Sequence, residues 1–219
     1  MSRTGRWWGC AVSLLWAAGQ VMAQEPVALD SSEPEEEPLP EVPALNLDRE
    51  WIPLSTARQH LQAGRRVEAL SILRDVLRRD VHHATALSLV ATTLAEMGRQ
   101  RDAVRLFQQL AQDYQQDYVV LNNLAWLLST ATDPVLRDPP EAVDLARQAL
   151  LLAPENYSVW STMAEAYYRN GRYDLALRAA EQALLLAQAQ QAEGSRVATY
   201  AEQVAKSRQA VEAFTLVAP

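Results

Sequence analysis

The sequence predicts an all-α protein built as an array of about four helical hairpins and closed by a C-terminal helix. Three observations lead to this prediction. From Glu50 onward, apolar residues recur at three- and four-residue steps, which is the period of one helix face. No stretch alternates apolar and polar residues between turn residues, as a half-buried strand would. Glycine and alanine recur at a fixed spacing, which indicates an internal repeat.

The spacing of the repeat is 34 residues. Gly64 and Gly98 are 34 positions apart, and Gly171 follows Gly98 by 73 positions, which is two periods plus five. Two sets of alanines keep the same register: Ala57, Ala91 and Ala164, and also Ala69, Ala103 and Ala176. Agreement between independent residues on one period indicates a repeat array.

The second unit shows why one period forms a hairpin. Its first helix has an apolar face that includes Leu87 and Leu94, and Gly98 supplies the positive φ that ends a helix and reverses the chain. The second helix presents Ala103 and Phe107, so small residues allow close approach while large ones fill the remaining space. A single hairpin cannot bury both of its faces, and it must therefore stack on a copy of itself.

Two segments resemble the tetratricopeptide repeat, whose pattern is W-x2-L-G-x2-Y, a glycine turn and then A-x3-F. They are "WSTMAEAY" followed by Gly171 and Ala176, and "LSLVATTL" followed by Gly98, Ala103 and Phe107. "LSTARQHL" begins a weaker first copy. The third copy begins with "LNNLAWLL" and ends with "EAVDLARQALLLAPEN", and "STATDPVLRDPP" replaces its glycine turn with about five extra residues.

The resemblance implies a right-handed α-solenoid with four repeats in residues 50–190. Their predicted bounds are 50–83, 84–117, 118–156 with the loop insertion, and 157–190. Residues 191–219 are predicted to form a capping helix and tail, because Val197, Ala201, Val204, Val211 and Phe214 share one face of a helix whose other side is polar. A polar outer side is what the open end of a solenoid needs.

The N-terminal region reads as a targeting signal and a linker. Arg3 and Arg6 precede the apolar run "WWGCAVSLLWAAG", and "VMA" has the small-residue pattern of a cleavage site, so residues 1–23 are predicted to be a secretory signal peptide. A retained membrane anchor is the alternative, but the run is shorter than the ~20 residues that a spanning helix needs. Residues 24–49 contain eight acidic residues, one arginine and several prolines, and are predicted to be a disordered linker. A docking tail for a basic partner is the alternative.

The sequence gives little reason to expect chemistry. Cys10 is the sole cysteine and lies in the predicted signal, so the mature chain would contain neither disulfides nor thiolate metal sites. His82 and His83 are expected to lie in a solvated turn rather than to bind a metal. No phosphate loop, nucleophile elbow or zinc-protease motif occurs. We therefore expect no catalytic site, metal or cofactor, and the net charge of -7 argues against a nucleic-acid partner.

In tetratricopeptide proteins the first helix of each hairpin lines a concave groove that binds partner proteins. Transferring this register to the sequence gives eight candidate partner-binding residues: Arg58, Thr92, Asn122, Trp126, Ser161, Glu165, Tyr168 and Arg169. Trp126 and Tyr168 are the expected aromatic contacts, since Trp and Tyr dominate binding hot spots. Whether Trp126 faces the groove or fills the core stays open. Lys206, the one lysine of the chain, lies in the predicted capping helix, so a lysine-based carboxylate clamp is not expected.

The leading functional hypothesis is a non-enzymatic, exported adaptor of the bacterial cell envelope, periplasmic or secreted, that binds a protein or peptide in its groove. After signal cleavage it would contain no integral membrane segment. The first alternative is a structural subunit that self-associates or packs within a larger secretion or envelope-biogenesis complex. A weaker alternative is an accessory protein that positions a polysaccharide or peptide substrate for an envelope enzyme, with Trp126 and Tyr168 as stacking surfaces.

Overall fold

A computed structural model describes residues 47–217, and these form nine α-helices without a β-strand. The helices are α1 (Leu47–Gln62), α2 (Arg66–Leu77), α3 (Ala84–Glu96), α4 (Gln100–Asp113), α5 (Tyr118–Thr130), α6 (Pro139–Leu152), α7 (Tyr157–Arg169), α8 (Tyr173–Ala189) and α9 (Gly194–Val217). A short 3₁₀ helix, Pro134–Leu136, lies between α5 and α6. The prediction of an all-α solenoid of helical hairpins is confirmed.

Consecutive helices pack as hairpins, α1 on α2, α3 on α4, α5 on α6 and α7 on α8, and each hairpin packs on the next. The alanines in the repeat register are all fully buried: Ala57, Ala69, Ala91, Ala103, Ala125, Ala142, Ala164 and Ala176. A methyl side chain leaves room for the neighbouring helix to approach, so these positions set the spacing between helices.

Tight turns close three of the four hairpins. Gly64, Gly98 and Gly171 have φ values of 73°, 81° and 73°, the left-handed region that glycine adopts without a steric penalty. The residue after each glycine donates its N–H to a carbonyl five residues earlier, as when Arg99 bonds to the carbonyl of Leu94 at 2.8 Å. This bond defines the Schellman type of helix ending.

The third hairpin closes through a longer loop that is bonded to residues at the start of α4. Thr132 donates to the Gln100 Oε1 atom from both its backbone N–H and its hydroxyl, each at 2.8 Å. Arg101 pairs with Asp133 at 3.1 Å. At the end of the loop, Asp138 Oδ1 accepts a hydrogen bond from the first turn of α6. Side-chain bonds therefore fix this loop in the place of a glycine turn.

The buried apolar side chains of the described region form two clusters. The small one joins the first hairpin to the start of α3 and contains Ala57, Leu73, Val76 and Ala86. The large one runs through the second, third and fourth hairpins and ends at Val204 of α9. The first hairpin thus shares a small core with α3 and contributes nothing to the large one.

Two sequence predictions need correction at the ends of the described region. Helix α1 begins at Leu47, so the last three residues of the predicted linker, 47–49, are helical. In α9 the buried side chains are Tyr200, Val204 and Ser207, while Ala201 and Phe214 are exposed. The buried stripe is therefore rotated from the predicted one, because Tyr200 and Ser207 pack inward. The predicted signal peptide, and the predicted linker up to residue 46, lie outside the described residues.

Candidate partner-binding surface

The first helices of successive hairpins form a continuous layer. Helices α3, α5, α7 and α9 contact one another in succession, whereas α4, α6 and α8, among the described elements, make no direct contact of that extent. A curved array brings the helices on its inner side together and spreads those on its outer side. The inner layer is therefore made of α3, α5, α7 and α9, and its free face is the groove.

Trp126 lies on the free face of α5. Its side chain is 43 % exposed, although the residues on either side of it, Ala125 and Leu127, are buried. Thr130, one turn further along, donates its hydroxyl to the Trp126 carbonyl at 2.7 Å. Trp126 therefore does not fill the core, and an exposed aromatic ring stands on the groove face of the third hairpin.

Asn122 lies one turn before Trp126 and is half-buried. Its Oδ1 atom is buried and has no hydrogen-bond partner among the described residues. A buried carbonyl without a partner is costly in free energy. Asn122 therefore carries an unsatisfied acceptor beneath the free face of α5.

Two of the predicted residues lie on the first and second hairpins. Arg58 is exposed on α1. Thr92 is half-buried on α3, and its hydroxyl donates to the carbonyl of Ser88 at 2.9 Å within the same helix. The Arg58 side chain is therefore accessible, and the Thr92 hydroxyl is already bonded.

Helix α9 covers the predicted residues of the fourth hairpin. Ser161 donates its hydroxyl to Gln203 Oε1 at 2.9 Å, and Gln203 Nε2 donates to the Ser161 carbonyl at 2.9 Å. Ser161 is buried as a result. The expectation that Ser161 lines an open groove is therefore wrong, because α9 lies over it.

Glu165 is the centre of a small ionic cluster between α7 and α9. Its carboxylate accepts from Arg169 at 2.7 Å and from Lys206 at 2.8 Å, and the residue is 6 % exposed. The Lys206 ammonium also lies 4.0 Å from the centroid of the Tyr168 ring, a cation–π contact. Glu165 is therefore not accessible to a partner, and Tyr168 and Arg169 are already engaged.

Sequence reasoning missed Gln203 and Lys206, which shape this end of the groove from the capping helix. Ser161 is 42 positions from Gln203, and Glu165 is 41 positions from Lys206. Neither separation follows from the 34-residue register, since α9 belongs to no repeat. The lone lysine was the one available signal, because it lies in an arginine-rich chain.

The two adjacent histidines have separate places. His83 caps the start of α3 by accepting a hydrogen bond from Ala86 N–H at 3.4 Å, and His82 is exposed. Across residues 47–217, no group of three or more His, Cys, Asp or Glu side chains is arranged to hold a metal ion. None of the helices in this range has the length and apolar character needed to cross a membrane.

The stacked hairpins and their inner helical layer define a helical-repeat protein, a class that presents extended surfaces to other molecules. The tetratricopeptide repeat family matches residues 60–127 and 136–198, together more than half of the chain. The chain belongs to the tetratricopeptide repeat family. This fold is that of a protein–protein interaction scaffold, and its members are typically non-catalytic adaptors.

Solved structures with the same fold come from distant proteins. A thermophilic tetratricopeptide repeat protein of Thermus thermophilus is 16% identical with a TM-score of 0.55, and the match covers 76% of this chain and 97% of that one. A putative kinesin light chain of Podospora anserina, with nearly identical repeats, is 19% identical with a TM-score of 0.57, covering 75% and 87%. MamA of Desulfovibrio magneticus is 15% identical with a TM-score of 0.51, covering 76% and 97%. At these identities the likeness concerns the fold alone. No curated protein matches the chain.

Proposed function

We propose that this chain is a non-enzymatic adaptor of the bacterial cell envelope that binds a segment of a partner protein in its groove. The observation that carries the proposal is Trp126, a large aromatic side chain that is 43 % exposed between the buried residues Ala125 and Leu127. Exposing such a side chain forgoes the free energy of burying it, and a partner that covers it recovers that free energy. The half-buried Asn122 carboxamide beside it offers the same partner a polar contact.

The partner segment lies along α3 and α5, with Arg58 of α1 beyond one end, rather than along the whole array. Ser161 and Glu165 are buried against α9, so the fourth hairpin offers little free surface in the groove. Arg58 at one end and Trp126 at the other bound the accessible part. Residues 1–23, with their signal-peptide pattern, support export, and the periplasm is the proposed location.

A structural subunit that associates with copies of itself is the second candidate. Leu151 of α6 and Leu185 of α8 are 34 positions apart and are 80 % and 59 % exposed, so two apolar side chains recur at one register on the outer helices. Apolar side chains that recur on an outer surface are a feature of protein contacts.

Crosslinking and affinity capture from the native envelope fraction tests the proposal, followed by calorimetry with the purified captured protein. We expect Trp126→Ala to weaken binding by about thirtyfold, as the loss of a hot-spot aromatic does. Leu151→Ala is the matched control, because it removes an exposed apolar side chain from an outer helix. Circular dichroism would verify that both variants stay helical.

The outcomes separate the two candidates. If Leu151→Ala weakens binding and Trp126→Ala does not, the groove proposal is wrong. If the captured protein is a further copy of this chain, and the sedimentation mass of the purified protein rises with concentration, the structural-subunit candidate replaces it.

A further inference from the structure

Three cavities lie side by side away from Trp126. The first, of about 530 Å³, lies between α4, α5 and α6. The second, of about 670 Å³, surrounds the α4–α5 junction at residues 112–118. The third, of about 560 Å³, lies where the α6–α7 junction meets the beginnings of α5 and α9. The first two share Gln112 and Gln115, and the last two share Tyr118; we call these three neighbouring depressions together the junction trough.

Side-chain carboxamides dominate the first part of the junction trough. Gln108, Gln112, Gln115 and Gln148 surround a floor of leucines that are already buried in the core. A carboxamide both donates and accepts hydrogen bonds without carrying a charge. Gln108, Gln112 and Gln148 are exposed, so their carboxamides contact solvent. A ligand that displaced this water could take over its hydrogen bonds.

Tyrosine rings line the rest of the trough. Tyr114, Tyr118 and Tyr157 are each half-buried, so one part of each ring stays accessible. Tyr114 donates its hydroxyl to the carbonyl of His82. Tyr157 accepts from Arg196 at 3.4 Å and packs on Tyr200 with ring centroids 5.6 Å apart. These contacts hold two of the rings in place before any ligand arrives, which lowers the entropy cost of binding.

The charges of the trough argue against an anionic ligand. Arg196 is the cation among its lining residues, whereas Asp113, Asp117, Glu141 and Glu155 are acidic. Burial raises the pKa of the Glu141 carboxyl, and the neighbouring Asp138 carboxylate acts in the same direction. The carboxylates of the trough would repel a phosphate or an acidic peptide.

A neutral polyhydroxylated ligand fits this lining better than a peptide does. Peptide-binding grooves obtain specificity from open apolar pockets for side chains. The leucines of the trough are buried, and its third part adds only Ala153 and Pro154 to the rings. The hydroxyl groups of a sugar, in contrast, can donate to and accept from the carboxamides. The C–H faces of a pyranose ring can pack on the flat faces of the tyrosine rings.

We propose that the junction trough binds a neutral oligosaccharide, with hydroxyl groups hydrogen-bonded to Gln108, Gln112 and Gln148 and sugar faces against Tyr118 and Tyr157. The trough lies at the junctions between hairpins, so the groove remains open while it is occupied. The proposal therefore stands independently of the partner that the groove binds.

Titration of the full chain with neutral hexasaccharides of the cello- and chito-series, followed by NMR of the glutamine side-chain amides, tests the proposal. We expect one series to shift signals of the trough glutamines, and Gln112→Ala and Tyr118→Ala each to weaken binding by about tenfold. Gln112 is exposed, so its variant should fold even if Tyr118→Ala does not. Gln209→Ala, an exposed glutamine of α9, and Trp126→Ala are the controls that should bind as the wild type does.

Three results would overturn the proposal: no shift with either series at the solubility limit, equal binding by Gln112→Ala and wild type, or equal shifts with an uncharged hexapeptide. Loss of sugar binding in Trp126→Ala would place the sugar in the groove instead. Because partner capture is measured separately, failure here and failure of the adaptor proposal are distinguishable.

Discussion

The third and fourth hairpins share one frame and use it differently. Trp126 of α5 and Glu165 of α7 are 39 positions apart and occupy the same register, each directly after a fully buried alanine. The tryptophan is 43 % exposed, whereas the glutamate is 6 % exposed and bonded to two cations. The buried alanines set the positions of the helices. Whether the residue after each alanine is exposed or buried depends on which element packs against it. A groove residue cannot therefore be identified from its register alone.

The shared frame is tested most strongly by enlarging its alanines. Ala142 and Ala176 occupy one register in α6 and α8 and are both fully buried. We expect Ala142→Leu and Ala176→Leu each to lower the free energy of unfolding by about 1–3 kcal/mol, because a larger side chain forces the packed helices apart. Urea denaturation measures the change, with the exposed Ala201→Leu as control. An unchanged midpoint in one buried variant would show that the two hairpins do not share a frame.

The turns of the two hairpins are tested next. Gly171 has a φ of 73° with open space around its missing side chain, so Gly171→Ala should cost about 1–2 kcal/mol through backbone strain alone. Gly194 has equally open surroundings without a positive φ, and Gly194→Ala should not destabilise the protein.

In the third hairpin Gln100→Ala removes both bonds to Thr132 and should cost about 1 kcal/mol. Thermal unfolding of the three variants decides; equal melting temperatures for the two glycine variants would contradict the account.

The ionic cluster of the fourth hairpin should give an effect as small as that of Gln100→Ala. Glu165→Gln removes the charge that Arg169 and Lys206 share, and we expect a loss of about 1 kcal/mol in unfolding free energy. The loss stays small because these two cations are 38% and 40% exposed and remain solvated. Glu181→Gln, whose pair with Arg208 is exposed on both sides, is the control and should change stability by less than about 0.5 kcal/mol. If α9 amide exchange did not accelerate in Glu165→Gln, the cluster would not hold α9 on α7.

The hairpins could be predicted from sequence because their causes are local and repeated. The backbone freedom of Gly98 indicates a turn, and the small side chain of Ala103 indicates a close approach of two helices. The 34-residue period extends both predictions to the other units. The exposure of Trp126 could not be predicted, since tryptophan is common both in cores and at binding surfaces. The pairing of Glu165 with Lys206 depends on how α9 packs. Because α9 is not part of a repeat, the 34-residue period does not predict its packing.

Long side chains explain the remaining differences. Gln100 ties down a loop 32 positions away, and Gln203 reaches Ser161 across 42 positions. Their sequence surroundings resemble those of the many other glutamines in the chain, so the sequence did not single out these two residues. Helix capping was also missed at His83, because histidine is not among the preferred capping residues. Such contacts become visible once the helices have been placed in space.

The small core that the first hairpin shares with α3 has a consequence for local unfolding. Repeat arrays lose structure one neighbour at a time, and the unit with the fewest shared apolar contacts opens first. Because the cluster around Leu73 is separate from the large one and includes Ala86 of α3, we expect α1, α2 and the start of α3 to open while α4–α9 stay folded. Proteolytic attack on such a chain would then follow the opening equilibrium of one hairpin, and turnover in the cell would be set by its weakest unit rather than by global stability.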